Sequence, residues 1–287
     1  MRCNARCAHC CVSSNPRDDR KLSDKVVYRL VDEAIADSSV EVVSFTGGEA
    51  LLRRDFILDL IRTVAEGGKR TTLVTNGFWA VNPRAALMRL AELRDAGLSL
   101  LTLSADDFHL PFVPIDRIRN VLLAVPQVPG IQVNLNMCES QSHSADNIVA
   151  ELGDLLEGIP VSRFPITPMG AASNLPDEEI VYRAMSTDDL HCPGFTLLFS
   201  SDDRAYPCCS TGIMNSALSI GKASELTIEE AAKRVEKNLL FYIILHEGFS
   251  WIVHHFQDLG IEKFQQPFKV VDACDLCCHI LRTMRIF

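Results

Sequence analysis

From residue 23 to residue 166 the chain alternates short β-branched runs with stretches of helical period, and this rhythm narrows its possible folds most. Ser23 and Asp24 can cap a helix running to about Ala36, with Val27, Leu30, Val31, Ala34 and Ile35 on one face. Residues 40–45 (VEVVSF) read as a strand that stops at Thr46-Gly47-Gly48-Glu49. Helical spacing returns over 56–65 and ends at Gly67-Gly68; residues 71–75 form a strand halted by Asn76-Gly77. Pro83 sits in the first turn of a helix that continues to Gly97. A strand at 98–103 leads into Ser104-Ala105-Asp106-Asp107-Phe108-His109. A helix at 115–125, a strand at 131–137, a helix at 145–156 and a strand at 161–166 follow. Buried strands separated by helices of such length are the pattern of parallel β/α units, so the expected class is α/β. Chemistry in these folds gathers beyond the carboxyl ends of the strands. Here those ends carry Gly47-Gly48-Glu49, Asn76, residues 106–109, Asn136 and residues 167–170.

The rhythm breaks near residue 171, and residues 172–179 form a polar, proline-containing connection. Beyond it lie a hairpin candidate (195–200 and 204–206, turned by Ser201-Asp202-Asp203) and helices at 227–239 and 250–259. An apolar fraction of 47% supports a packed core and excludes disorder. A net charge of −9 argues against binding to nucleic acid. The start, MRCNARCAHCC, has no apolar signal region, and the longest apolar run, residues 239–245, is far too short to span a membrane. The expected location is cytoplasmic, with no membrane partner. The 11 cysteines, six of them in the pairs Cys10-Cys11, Cys208-Cys209 and Cys277-Cys278, suit thiolates held for metal better than disulfides.

Cys3, Cys7 and Cys10 form C-x3-C-x2-C. A structural zinc site takes four ligands, so zinc would need His9 or a distant residue to complete it. Three thiolates on a four-iron cluster leave one iron open for chemistry. With the β/α rhythm behind it, this element resembles the radical S-adenosylmethionine (radical SAM) enzymes, in which an aromatic or imidazole residue often precedes the last cysteine, as His9 does here. Thr46-Gly47-Gly48-Glu49, directly after a strand, is similar to the family's Gly-Gly-Glu element.

The resemblance implies a [4Fe–4S] cluster on Cys3, Cys7 and Cys10 whose open iron chelates S-adenosylmethionine. One electron then cleaves the sulfonium to methionine and a 5′-deoxyadenosyl radical that abstracts hydrogen from substrate. Gly47 and Gly48 would let the backbone approach the cofactor, and the Glu49 carboxylate would pair with its ammonium. Asn76, Ser104, Asp106, Asn134 and Asn136 are candidates for its ribose, carboxylate and adenine, with helix capping as their alternative role. His109 is a candidate contact or a loop cap, and Cys11 is expected to pack beneath the cluster loop. The implied fold is a partial (β/α)6 TIM-like barrel over residues 1–171, with a small auxiliary iron–sulfur domain over 172–287. The family has a barrel strand before its cysteine loop, where only Met1 and Arg2 stand here, so a late start or an open barrel is expected.

Cys192 is followed at 16 residues by Cys208-Cys209, and later by Cys274-Asp275-Leu276-Cys277-Cys278. Three such segments can supply four thiolates to zinc or to a fully ligated cluster; scattered core thiols are the alternative. The arrangement resembles the shortened auxiliary-cluster (twitch/SPASM-like) extension of peptide-modifying radical SAM enzymes. Tyr206-Pro207-Cys208 matches it, and a turn without glycine departs from it. The ligands implied for one auxiliary [4Fe–4S] cluster are Cys192, Cys208, Cys274 and Cys277; Cys209 can replace Cys208, and Cys278 can replace Cys277. CNARCAHCCVSSNP, FTGGE and a late vicinal pair most resemble the peptide epimerases. These turn L-residues of a ribosomally synthesised precursor peptide into D-residues, and Cys209 is the implied catalytic hydrogen donor. A flavodoxin or ferredoxin-type electron donor is also implied. Thioether or carbon–carbon cross-linking on the same scaffold, and a zinc-binding structural or interaction protein, are the competing readings.

Overall fold

The computed structural model describes residues 1–184, 190–214, 218–261 and 269–283. Helix α1 (Asp24–Ala36) starts where the Ser23 hydroxyl accepts the Val26 N–H, and it buries Leu30, Val31 and Ala34. There follow β1 (Val42–Phe45), α2 (Arg54–Glu66), β2 (Arg70–Thr75), α3 (Pro83–Asp95), β3 (Leu100–Ser104), α4 (Ile115–Ala124), β4 (Gln132–Glu139), α5 (Asp146–Leu152) and β5 (Val161–Pro165). The strands form one five-stranded sheet in the order β1-β2-β3-β4-β5, parallel throughout. This parallel sheet is what the alternation implies, and it agrees with the partial barrel that the resemblance implies. The helix expected over 145–156 is shorter, because the chain tightens into a 3-10 turn at Gly153–Leu156, where Gly153 has φ +49°.

Strand register decides which residues can meet a ligand. Leu73, Leu101, Leu103, Val133, Leu135 and Met137 face the helices and pack in the main core with Leu60, Ile61, Leu90 and Val121. Their neighbours face the other way, and the ladder pairs Ser44 with Thr72, Val74 with Thr102, Ser104 with Asn136, and Cys138 with Phe164. A slip of one residue would exchange the two faces, so the apolar face fixes the polar one. That second face, the inner face of the barrel, remains accessible: Val74 and Phe164 are exposed.

The remaining chain builds β6 (Arg183–Ala184), β7 (Leu198–Ser200), β8 (Arg204–Tyr206), α6 (Thr211–Met214), β9 (Gly221–Lys222), α7 (Ile228–Glu236), α8 (Leu239–His246), α9 (Gly248–Asp258), β10 (Lys269–Val270) and α10 (Ala273–Thr283). β7, β8 and β9 form an antiparallel sheet, as the hairpin signal implies, and β10 pairs with β6. A second core gathers here around Tyr206, Phe241, Phe249, Val253 and Ile280. The helix expected over 227–239 breaks at Asn238, whose side-chain oxygen accepts the Leu240 and Phe241 N–H groups and so starts α8. Among the described residues, no helix is long and apolar enough to cross a membrane.

Helix α1 ties the two cores together. Arg29 donates to the carbonyls of Leu226 at 2.9 Å and Ala223 at 2.5 Å, and Glu33 accepts the Ile228 N–H at 2.9 Å.

Candidate active site

The cysteine loop lies across the carboxyl ends of β1 and β2. Its start is pinned by a parallel bridge between Arg2 and Asn15 and by the Cys3 N–H to the Asn15 carbonyl at 3.2 Å. The Ala5 N–H reaches Cys3 Sγ at 3.4 Å, the Ser14 N–H reaches Cys10 Sγ at 3.4 Å, and Asn76 Nδ2 reaches Cys3 Sγ at 3.8 Å. Such donors stabilise negative charge on sulfur. Burial raises the Cys3 thiol, and it pushes the Cys7 thiol up to about 12, with Cys3, Asp106 and Cys10 adding to the Cys7 shift. A metal centre reverses this by taking the thiolate directly. Three free cysteines on one loop, with N–H donors aimed at two of the sulfurs, fit a [4Fe–4S] cluster.

Two glycines let other segments touch this loop. A Cβ on Gly48 would lie 2.3 Å from the Arg2 carbonyl oxygen, and the next residue, Glu49, donates its N–H to that oxygen at 2.8 Å. Gly170 has φ +59°, and a Cβ there would lie 2.2 Å from the Cys11 carbonyl oxygen. Its neighbour Ala171 donates to the Cys10 carbonyl at 2.9 Å. Gly47, by contrast, faces open space.

Glu49 is buried, and its carboxylate accepts from the Leu51 N–H at 3.0 Å, Thr75 Oγ1 at 2.9 Å and the Asn76 N–H at 2.8 Å. Burial raises its pKa, against the pull of those donors. Glu49 thus latches the Gly-Gly-Glu turn to the end of β2. Asn76 is also committed: Nδ2 donates to Asn4 Oδ1 at 2.9 Å and Oδ1 accepts the Phe78 N–H at 3.1 Å.

Asp106 joins three segments. Its Oδ1 accepts from the Phe108 and His109 N–H groups at 3.1 Å and contacts His109 Nδ1 at 2.8 Å. Its Oδ2 accepts the Cys138 N–H at 3.1 Å and lies 3.4 Å from His9 Nε2. Burial opposes ionisation, but the bonds from His109 and His9 overcome it and hold the carboxyl well below its usual range. The buried His9 ring stacks on Phe108 at 4.9 Å and meets His109 edge-on at 4.8 Å. Asp106 therefore anchors the cysteine loop through His9, and His109 closes the turn after β3. Ser104, Asn134 and Asn136 stand half-buried on the inner face of the barrel.

The sequence reading missed Cys138. It follows Asn134 and Asn136 at strand period on the inner face, and its sulfur lies within 4.8 Å of His9 and Asp106 ligand atoms. The alternation Asn134, Asn136, Cys138 is the signal that could have found it. Cys11 requires a correction: it is exposed rather than packed beneath the loop. Its carbonyl, not its side chain, makes the close contact with Gly170.

In the second unit Cys192, Cys208, Cys274 and Cys277 come together. Burial raises the Cys277 thiol, which also feels Cys208, Cys192 and Cys274. Cys208 and Cys274 are pushed up to about 11, by burial first in each case. Cys274 and Cys277 are three apart on α10, hence on one helix face. Cys209 is exposed, whereas Cys278 is buried with Sγ 3.0 Å from the position of a Cβ on Gly212.

Residues 1–121 match the Radical SAM superfamily model. YydG of Bacillus subtilis, a protein named for peptide biosynthesis, is 31% identical over 280 residues, covering 96% of this chain and 88% of that protein. A GTP 3′,8-cyclase of Streptomyces coelicolor is 35% identical over 136 residues, 45% of this chain and 39% of the cyclase. Among solved structures, coproporphyrinogen III oxidase from Escherichia coli, described as a radical SAM enzyme, aligns with 62% of this chain and 46% of its own at 17% identity and a TM-score of 0.46.

Proposed function

Because the chain belongs to the radical SAM superfamily, we propose that it converts L-residues of a ribosomally synthesised peptide to D-residues, with Cys209 returning the hydrogen removed from the α-carbon. The peptide as substrate class is supported by the likeness to YydG over nearly the full length of both chains. A [4Fe–4S] cluster with S-adenosylmethionine supplies, when bound, the carbon radical that removes a hydrogen atom. Cys3, Cys7 and Cys10 hold that cluster. The open face of Gly47 admits the cofactor, and Glu49, the buried carboxylate beside it, balances an ammonium group. Ser104, Asn134 and Asn136 offer hydrogen bonds from the inner face of the barrel. Asn76 orients Cys3, while Asp106 works through His9 as a positioning residue.

Cys192, Cys208, Cys274 and Cys277 ligate one auxiliary [4Fe–4S] cluster, leaving Cys209 as a thiol. The observation that carries epimerisation rather than cross-linking is this exposed thiol, next in sequence to Cys208 of a half-buried ligand set. An electron carrier of the flavodoxin or ferredoxin type reduces the enzyme. Substituting Cys209→Ala tests the assignment. The variant is expected to cleave S-adenosylmethionine but to form no D-residue, and continued epimerisation would overturn the role of Cys209. A product lighter by two hydrogens would point to cross-linking instead.

A further inference from the structure

Asp275 is a buried carboxylate that nothing in the proposed reaction uses. It stands in the first turn of α10. Its Oδ2 accepts the Val271 N–H at 3.0 Å, and its own N–H donates to Asp272 Oδ1 at 2.8 Å. The two carboxylates together cap the helix start and fold the preceding chain back on to it, an arrangement close to a capping box. Oδ1 of Asp275 lies 3.6 Å from His279 Nε2, one turn further along α10.

The side chains leading into this cap point to different cores, as successive residues of an extended chain do. Val270 packs in the second core with Leu276 and Ile280. Val271 belongs instead to the apolar cluster that contains Cys3, Cys7 and Phe108, against which Cys10 also packs. Val270 pairs with Arg183, and Tyr182, the residue before Arg183, packs against the same cluster as Val271. No other described residue beyond Tyr182 belongs to that cluster. The cap of α10 therefore fixes the one side chain of this segment that reaches the surroundings of the cysteine loop.

We propose that Asp275 is a positioning residue for the radical-forming centre, seating Val271 in the wall around the cluster on Cys3, Cys7 and Cys10. The inference rests on the cluster placement proposed above. Water beside a cluster stabilises its more negatively charged, reduced form and opens a path to the iron. A seated Val271 keeps that water out, which lowers the cluster's potential and makes the reduced cluster a stronger electron donor. The bond to the Val271 N–H needs an acceptor oxygen, not a charge. An amide at position 275 retains that oxygen, whereas alanine leaves a buried N–H unpaired.

The test uses the full chain with its clusters, under anaerobic conditions. Hydrogen–deuterium exchange read by mass spectrometry follows the peptide containing Val271. Redox titration by electron paramagnetic resonance follows the cluster signal that changes when S-adenosylmethionine is added. Asp275→Ala is expected to speed exchange about tenfold, to raise the midpoint potential of that signal and to speed its loss to chelator about tenfold. Asp275→Asn is expected to match the wild type in all three. Val271→Ala leaves the cap in place, and it is expected to raise the potential and speed the loss as Asp275→Ala does. It decides the matter if Asp275→Ala does not fold. Wild-type potential and retention in Val271→Ala, or a defect in Asp275→Asn equal to that of Asp275→Ala, overturns the inference. A wild-type signal that does not respond to S-adenosylmethionine overturns instead the cluster placement on which it rests.

Discussion

Alanine at Gly48 would place a methyl group 2.3 Å from the Arg2 carbonyl oxygen, 2.4 Å from that of Met1 and 2.6 Å from the Arg2 carbonyl carbon. All three are backbone atoms, so no rotamer relieves the clash. The start of the cysteine loop must withdraw by about 1 Å to reach an ordinary contact of about 3.5 Å. That movement breaks the bond from the Glu49 N–H to the Arg2 carbonyl and displaces Cys3. Overpacking costs about 1–3 kcal/mol and the lost bond about 1 kcal/mol. At 1.4 kcal/mol per tenfold, the sum of about 2–4 kcal/mol weakens the loop's hold on iron by about 30- to 700-fold. Gly47→Ala is the control, since nothing lies within 4 Å of its Cβ position. It should change stability by less than about 0.5 kcal/mol. The assay is iron retained per chain against graded chelator, with thermal unfolding of the cluster-free proteins beside it. The reasoning fails if Gly48→Ala holds iron like the wild type, or if Gly47→Ala is equally damaged.

Gly170→Ala combines a left-handed backbone costing about 1–2 kcal/mol with a clash against Cys11. It should lower iron retention against graded chelator below that of the wild type. Asp106 has a folded pKa below its unfolded one, so its stabilisation is present above about pH 4 and lost as pH falls through the folded value. Urea unfolding of cluster-free Asp106→Asn should therefore show a deficit at pH 7 that narrows below about pH 4; a deficit constant with pH would contradict the assigned bonds. Cys192→Ala should remove about four iron per chain while S-adenosylmethionine cleavage persists. Zinc in place of that iron would refute the auxiliary cluster.

The alternation of residues 40–166 made the sheet legible because each strand buries one face and each connecting helix one stripe. The C-x3-C-x2-C spacing and Thr46-Gly47-Gly48-Glu49 made the chemistry legible because both elements are local in sequence. What escaped was non-local or disguised. The Asp106 carboxylate reads as a free rim ligand until the fold brings it His9 and Cys138 as donors from distant segments. The Asn238 cap stands just before the apolar run 239–245, whose first residue the helical spacing had joined to α7. The cysteine-rich stretch 274–278 reads only as a ligand-bearing segment, and the structure sets it on α10, one side of which Leu276, Ile280 and Leu281 bury. Cys11 was expected to pack underneath the loop. In the structure its backbone carbonyl lies against Gly170 and its side chain is exposed.

The central claim is that a peptide α-hydrogen is removed and replaced from a solvent-exchangeable thiol. A ribosomally synthesised precursor peptide, incubated with the wild-type holoenzyme in heavy water, measures this directly. The account predicts one deuterium at the α-carbon of each D-residue, and none when Cys209→Ala is used. A D-residue carrying no deuterium, or a product two mass units lighter than the substrate, would contradict it.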